Sequence, residues 1–142
     1  MKQVAITGGG GYIGGQTAIY FKEQGWEVTV VDRNNLPKRL EPFVDRFLHD
    51  EFHNEDALKQ YASVDTIIHC AGSSLVGPSI KNPSQYYENN FIATKRMLDH
   101  LCQYGYHPKV VFSSSAAVYG NPIAIPISEE DPKLPISPYG IS

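Results

Sequence analysis

Ser115 and Tyr139 stand 24 positions apart, the first closing the run Ser113-Ser114-Ser115 and the second inside Ser137-Pro138-Tyr139-Gly140. A hydroxyl and a phenol brought together beside a nucleotide could pass a proton to and from a substrate oxygen. Tyrosine titrates near pH 10 in a model peptide, so it works as a base at neutral pH only where a nearby cation favours the phenolate. No such cation follows Tyr139 before Ser142. The expectation is therefore a site that the chain enters but does not finish.

A nucleotide site is indicated by Thr7-Gly8-Gly9-Gly10-Gly11-Tyr12-Ile13-Gly14-Gly15, which satisfies G-x-G-x-x-G through Gly9, Gly11 and Gly14, and G-x-x-G-x-x-G through Gly8, Gly11 and Gly14. Glycines let the backbone turn tightly and approach a pyrophosphate, while the free N–H groups and dipole of a helix beginning near Tyr12 favour its charge. Asp32 lies 18 residues beyond Gly14, at the end of the next strand-like run. A carboxylate there accepts hydrogen bonds from an adenosine ribose and repels a 2′-phosphate, which favours NAD. Arg33 beside it is the group a phosphate would attract, so NADP stays open.

These residues need a scaffold that returns repeatedly to one edge. Val4–Thr7, Glu27–Val31, Arg46–His49, Asp65–His69 and Lys109–Ser113 read as strands. Helical stretches alternate with them: Tyr12–Gln24, a short helix to Tyr61 capped by Asn54, and a long one from Pro83 to Tyr104. Apolar strands separated by helices predict an α/β fold, a doubly wound, Rossmann-like parallel sheet with strands buried on both faces, incomplete at its C-terminal side. Five prolines between Pro122 and Pro138 make the last segment a loop. Tyr86, Tyr87 and Phe91 are expected to pack a helix on the sheet.

The 142 residues suit one domain, burying about two thirds of the surface of the unfolded chain. A net charge of -3 with no Lys/Arg run argues against nucleic acid, and no apolar run suits a membrane span or a signal sequence. Cys70 and Cys102 are too few for a disulfide framework and read as two reduced, packed thiols, pointing to the cytoplasm. The five histidines lack ligand spacing, so no metal is expected, and His69 reads as a packed strand-end residue.

The loop, Asp32, His69-Cys70-Ala71-Gly72, Tyr86-Tyr87-Glu88-Asn89-Asn90, Ser113-Ser114-Ser115-Ala116-Ala117-Val118-Tyr119-Gly120 and Ser137-Pro138-Tyr139-Gly140 occur in one order. In this the chain resembles the extended short-chain dehydrogenase/reductases, most of all their UDP-glucose 4-epimerases, over the N-terminal half of a typical member. The resemblance implies that Gly8, Gly11, Tyr12, Ile13 and Gly14 line the pyrophosphate of NAD and Asp32 holds its ribose. It sets Asp50 and Glu51 near the adenine, and Cys70, Ala71, Gly72, Ser74 and Asn89 along the nicotinamide. Ser115 and Tyr139 match the catalytic pair: Tyr139 takes the 4-hydroxyl proton of a nucleotide sugar, Ser115 holds the same oxygen, and hydride leaves C4 and returns to its opposite face.

Family members place a lysine four residues after that tyrosine, which would be position 143. The resemblance thus implies residues 1–142 as a truncated NAD-binding domain without its nucleotide-sugar domain, inactive alone. Ser74 stands where several epimerases carry lysine, and Ala116-Ala117 where the 4,6-dehydratases carry an Asp-Glu pair, which argues against dehydration. A UDP-hexose is the expected substrate, and a homodimer is compatible with the helix bearing Tyr86 and Tyr87. The alternatives are another nucleotide-sugar member, decarboxylase or reductase, and a dinucleotide-binding regulatory module without turnover.

Overall fold

The computed structural model describes all residues, 1–142, and divides into two compact units, Met1–Ala71 with Ala93–Ser113 and Gly72–Ile92 with Ser114–Ser142. The first unit holds every strand: β1 (Gln3–Thr7), β2 (Glu27–Asp32), β3 (Arg46–His49), β4 (Thr66–His69) and β5 (Lys109–Phe112). All neighbours run parallel, in the order β3-β2-β1-β4-β5. The chain starts in the middle, builds outward through β2 and β3, and then crosses to β4 on the other side of β1. Ligands of such sheets sit at this reversal, beyond the carboxyl ends of the strands.

Alternation of side chains fixes which helix covers which face. Val4 and Ile6 of β1 and Val28 and Val30 of β2 form a core with Ala18 of α1 (Tyr12–Glu23). Ala5, Val31 and Ile67 point the other way and pack with residues of α2 (Glu55–Tyr61) and with Ala93, Met97 and Leu101. The last three belong to the helix Ala93–Gln103. Each fully buried Val or Ile contributes roughly 1.5–3 kcal/mol by leaving water. The Tyr61 hydroxyl in this core donates to the Phe52 carbonyl at 2.5 Å, and burial raises its pKa.

Double burial does not extend to β5, whose four residues are all exposed, with Phe112 at 59%. It is one of the two edge strands of the sheet, with β3 at the other end. The Asn54 side chain also departs from expectation. It makes no cap bond and instead donates to Asp50 Oδ1 at 2.6 Å, because the preceding turn supplies a nearer carboxylate. Cys70 is half-buried and Cys102, on the outer side of its helix, is exposed rather than packed.

The second unit contains α3 (Val76–Lys81), α4 (Pro83–Tyr86), a π turn (Tyr87–Ile92), a 3₁₀ turn (Ala116–Tyr119) and α6 (Pro138–Ile141). Two short helical turns thus flank the proline-rich segment, which has no helix or strand between them. Helix runs on from Pro83 through the π turn into α5, the Ala93–Gln103 helix, as far as Gln103. Bonds of i→i+5 in a π turn shift the phase of the helical faces. Tyr86 is consequently buried, while Tyr87 and Phe91 are exposed. The Tyr86 ring meets Tyr139 edge-on at 6.5 Å instead of packing on the sheet.

Candidate functional site

The first constellation lies at the ends of β1, β2 and β4. Gly8 leaves β1 with φ +67, and a Cβ on it would stand 2.7 Å from Ala71 N, so both its conformation and its neighbour require glycine. Gly14 is fixed by space alone: its Cβ would meet Gly8 O at 2.4 Å. The loop can therefore close onto the first turn of α1. Gly11 is the N-cap of that helix, with no side-chain cap and no acidic residue in the first turn. Its positive end is open to an anion. Tyr12 and Ile13 at this tip are exposed, at 76% and 57%.

Asp32 ends β2 with a buried carboxylate. Oδ2 accepts from Gly10 N–H at 3.0 Å, and Oδ1 accepts from Asn34 N–H at 2.8 Å and from the Asn34 side chain at 3.3 Å. Two carboxylate oxygens offer about four lone-pair sites, so three bonds leave acceptor capacity. Arg33 turns to Glu51, Nη1 to Oε1 at 3.6 Å. Asp50 is engaged by its own turn, accepting from Glu51 N–H at 2.8 Å as well as from Asn54. At the end of β4, burial pushes the Cys70 thiol up, which keeps it protonated and unsuited as a nucleophile. Ala71 follows it, against Gly8.

The second constellation belongs to the second unit. The Ser115 Oγ accepts from Ala117 N–H at 3.2 Å and so caps the 3₁₀ turn that follows. Ser137 does the same for α6, accepting from Gly140 N–H at 3.1 Å. A Cβ on Gly140 would lie 2.6 Å from Ala117 O, so the Tyr139-Gly140 backbone packs directly on the turn that Ser115 caps. This contact brings the segments of the two hydroxyls together. Asn90 organises the rest: its Oδ1 accepts from Ser73 N–H at 2.7 Å, and its Nδ2 donates to Ser73 O and Ser142 Oγ, both at 3.0 Å. Asn89 donates to Ser73 Oγ at 3.0 Å. Gly72 backs onto Asn90, and Ser74 is exposed.

Sequence reasoning named Asn89 and passed over Asn90, whose three bonds make it the hub of the second unit. It also passed over a buried set in the first unit. His69 Nδ1 lies 2.6 Å from Thr7 Oγ1 and its Nε2 lies 2.8 Å from Thr94 Oγ1. A signal for the first pair was present: Thr7 and His69 are polar residues closing two apolar strands, and they face each other in the parallel register.

A family model described as "NAD dependent epimerase/dehydratase family" matches residues 4–142. The chain belongs to that family. As an epimerase/dehydratase-family chain it is 44% identical to the UDP-glucose 4-epimerase of Halalkalibacterium halodurans, over 96% of its own length and 42% of that protein's. The Lacticaseibacillus casei UDP-glucose 4-epimerase is 38% identical, with 98% and 43% covered. Among solved structures, the Brucella ovis UDP-glucose 4-epimerase in complex with NAD superposes with a TM-score of 0.88 at 33% identity, covering 99% of this chain and 44% of that one. The Bifidobacterium longum enzyme, in complex with NAD+ and UDP, gives 0.88 at 32%, covering 99% and 45%. The family chain thus spans less than half the length of the relatives it matches, and it shares their Rossmann-like fold. No helix in it is long and apolar enough to cross a membrane.

Proposed function

We propose that residues 1–142 form the NAD-binding domain of a nucleotide-sugar 4-epimerase, with the sugar-binding domain lying outside these residues. The observation that carries this reading is the Asp32 carboxylate held at the end of β2 by the N–H of Gly10, inside a glycine loop that opens the positive end of α1. Such a cradle fits a dinucleotide: backbone N–H groups for the pyrophosphate, and an acceptor with unused capacity for a ribose hydroxyl. Arg33, paired with Glu51, supports NAD over its 2′-phosphorylated form. Bound NAD would supply the acceptor that takes a hydride from a sugar carbon and gives it back.

The chain's own residues supply binding and proton handling. Gly8, Gly11, Tyr12, Ile13 and Gly14 hold the pyrophosphate, Asp32 the ribose, and Asp50 and Glu51 border the adenine. Cys70, Ala71, Gly72, Ser74 and Asn89 line the path to the nicotinamide. Tyr139 removes the proton of the 4-hydroxyl of a UDP-hexose, and Ser115 donates a hydrogen bond to the same oxygen. Two free thiols support a cytoplasmic setting, and the exposed rings of Tyr87 and Phe91 are apolar surface that a homodimer would cover.

The test is made in the whole protein. Tyr139→Phe preserves the ring that meets Tyr86 and removes only the phenolic hydroxyl, so epimerisation of a UDP-hexose should fall by about 10²–10⁴ while NAD stays bound. Full turnover by that variant would refute the assignment.

A further inference from the structure

Among the buried titratable side chains of the first unit that the proposed chemistry does not use, His69 lies closest to the glycine loop, two residues before the Ala71 backbone against which Gly8 turns. His69 is 1% exposed, its ring edge-on to Phe52 at 4.7 Å and stacked on Phe112 at 5.7 Å. Each ring nitrogen faces a hydroxyl, Thr7 on one side and Thr94 of α5 on the other. Thr7 Oγ1 also accepts from Ala71 N–H at 3.4 Å, and Cys70 N–H donates to Thr7 O at 3.1 Å. One imidazole therefore joins the end of β1, the end of β4 and the first turn of α5.

Thr7 is the last residue before the glycine loop, and Ala71 is the backbone against which Gly8 turns. The Gly8 N–H is spent on Val31 O at 2.8 Å, so the loop leaves the sheet from a point bonded to β2 on one side and to the His69 set on the other. We propose that His69 is a positioning residue of the dinucleotide loop: by binding the Thr7 and Thr94 hydroxyls on its two nitrogens, it fixes the angle at which Gly8 leaves β1. This rests on the reading of that loop as the dinucleotide site.

The chemistry suits the task. A neutral imidazole donates from one nitrogen and accepts at the other, and a hydroxyl can answer either, so the set Ala71 N–H, Thr7, His69, Thr94 can be satisfied without burying charge. Burial lowers the His69 pKa to about 4, which holds it neutral at physiological pH. Thr7, Thr94, Phe52 and Phe112 face the ring, and none of them carries a charge. A leucine there would leave the Thr7 hydroxyl with Ala71 N–H alone and the Thr94 hydroxyl without its nitrogen. An asparagine would keep one amide facing Thr7.

The experiment compares the chain with its His69→Leu, His69→Asn and Thr94→Val variants at neutral pH, using NAD as probe in calorimetry and amide exchange as the second readout. In His69→Leu, the Gly8 amide should exchange at least tenfold faster while Val4 and Ile6 keep their protection, and NAD affinity should fall about tenfold. His69→Asn should recover affinity to within about threefold. Wild-type exchange at Gly8 in a folded His69→Leu chain, or undiminished NAD affinity, would overturn the proposal. If the wild-type chain binds no NAD, the reading of the loop fails and the Gly8 exchange rate decides the positioning role alone. If His69→Leu does not fold, Thr94→Val, which removes one partner only, must speed Gly8 exchange; an unchanged rate would overturn it.

Discussion

Asp32 and Gly10 are joined by a 3.0 Å hydrogen bond from the glycine N–H to the carboxylate, so the acidic end of β2 and the middle of the loop after β1 form one object. The charge therefore has a fixed place. A 2′-phosphate arriving on the adenosine ribose would meet a carboxylate that cannot swing away. Arg33, the residue able to neutralise it, is engaged with Glu51.

Cofactor choice follows from that second pairing. Glu51→Gln removes the charge that holds Arg33, and NADP affinity should rise several-fold while NAD affinity stays within about twofold. The contact is exposed and 3.6 Å long, so a modest gain is expected, on the scale of a surface ion pair. Parallel calorimetric titrations with the two dinucleotides measure it; an equal gain for both would show that Glu51 acts on something other than the 2′ position.

Two glycines should answer alanine in opposite directions. At Gly14 the new Cβ would meet backbone on both sides, Gly8 O at 2.4 Å and Gly9 Cα at 2.8 Å, so the loop must shift and stability should fall by about 1–3 kcal/mol. At Gly77, inside α3, nothing stands within 4 Å, and Ala should stabilise by roughly 0.5–1 kcal/mol. Urea midpoints of the two variants give the signs. Similar behaviour in both would mean that the loop is not packed as described.

What the sequence disclosed and what it withheld divide along the same physical line. Gly8, Gly14 and Asp32 were legible because a tight turn, a close approach and a charge at a strand end impose demands that a few adjacent residues reveal. The five strands and their parallel pairing followed from apolar runs alternating with helical ones. Burial of Tyr86 in place of Tyr87 and Phe91 was not legible, since the π turn at Tyr87–Ile92 changes which residues share a face. Asn90 was missed, and His69 was read as packed but without its hydroxyl partners, for a related reason: the bonds lie with partners 17 to 62 residues away, Ser73 and Ser142 for one, Thr7 and Thr94 for the other.

Acid should find His69. Its folded pKa of about 4 lies below the ordinary 6.5 because burial disfavours the cation, so between these values the unfolded chain binds the extra proton. The stability due to the neutral ring is complete above pH 6.5 and is lost as pH falls toward 4, by about 2–3 kcal/mol at pH 4.5. Urea unfolding of wild type and His69→Asn at pH 7.5 and 4.5 isolates this component from the carboxylates. The wild type should lose that much more than the variant on acidification; equal losses would show that His69 titrates normally.

The claim on which the whole account depends is that this chain holds NAD through its glycine loop and Asp32. Calorimetric titration of residues 1–142 with NAD, beside the Asp32→Ala variant, tests it most directly. The account predicts saturable one-to-one binding by the wild type and at least a tenfold weaker affinity in the variant, the consequence of removing a charged acceptor worth about 1.5–3 kcal/mol. Equal affinity in the two proteins, or no binding by a folded wild-type chain, would contradict it.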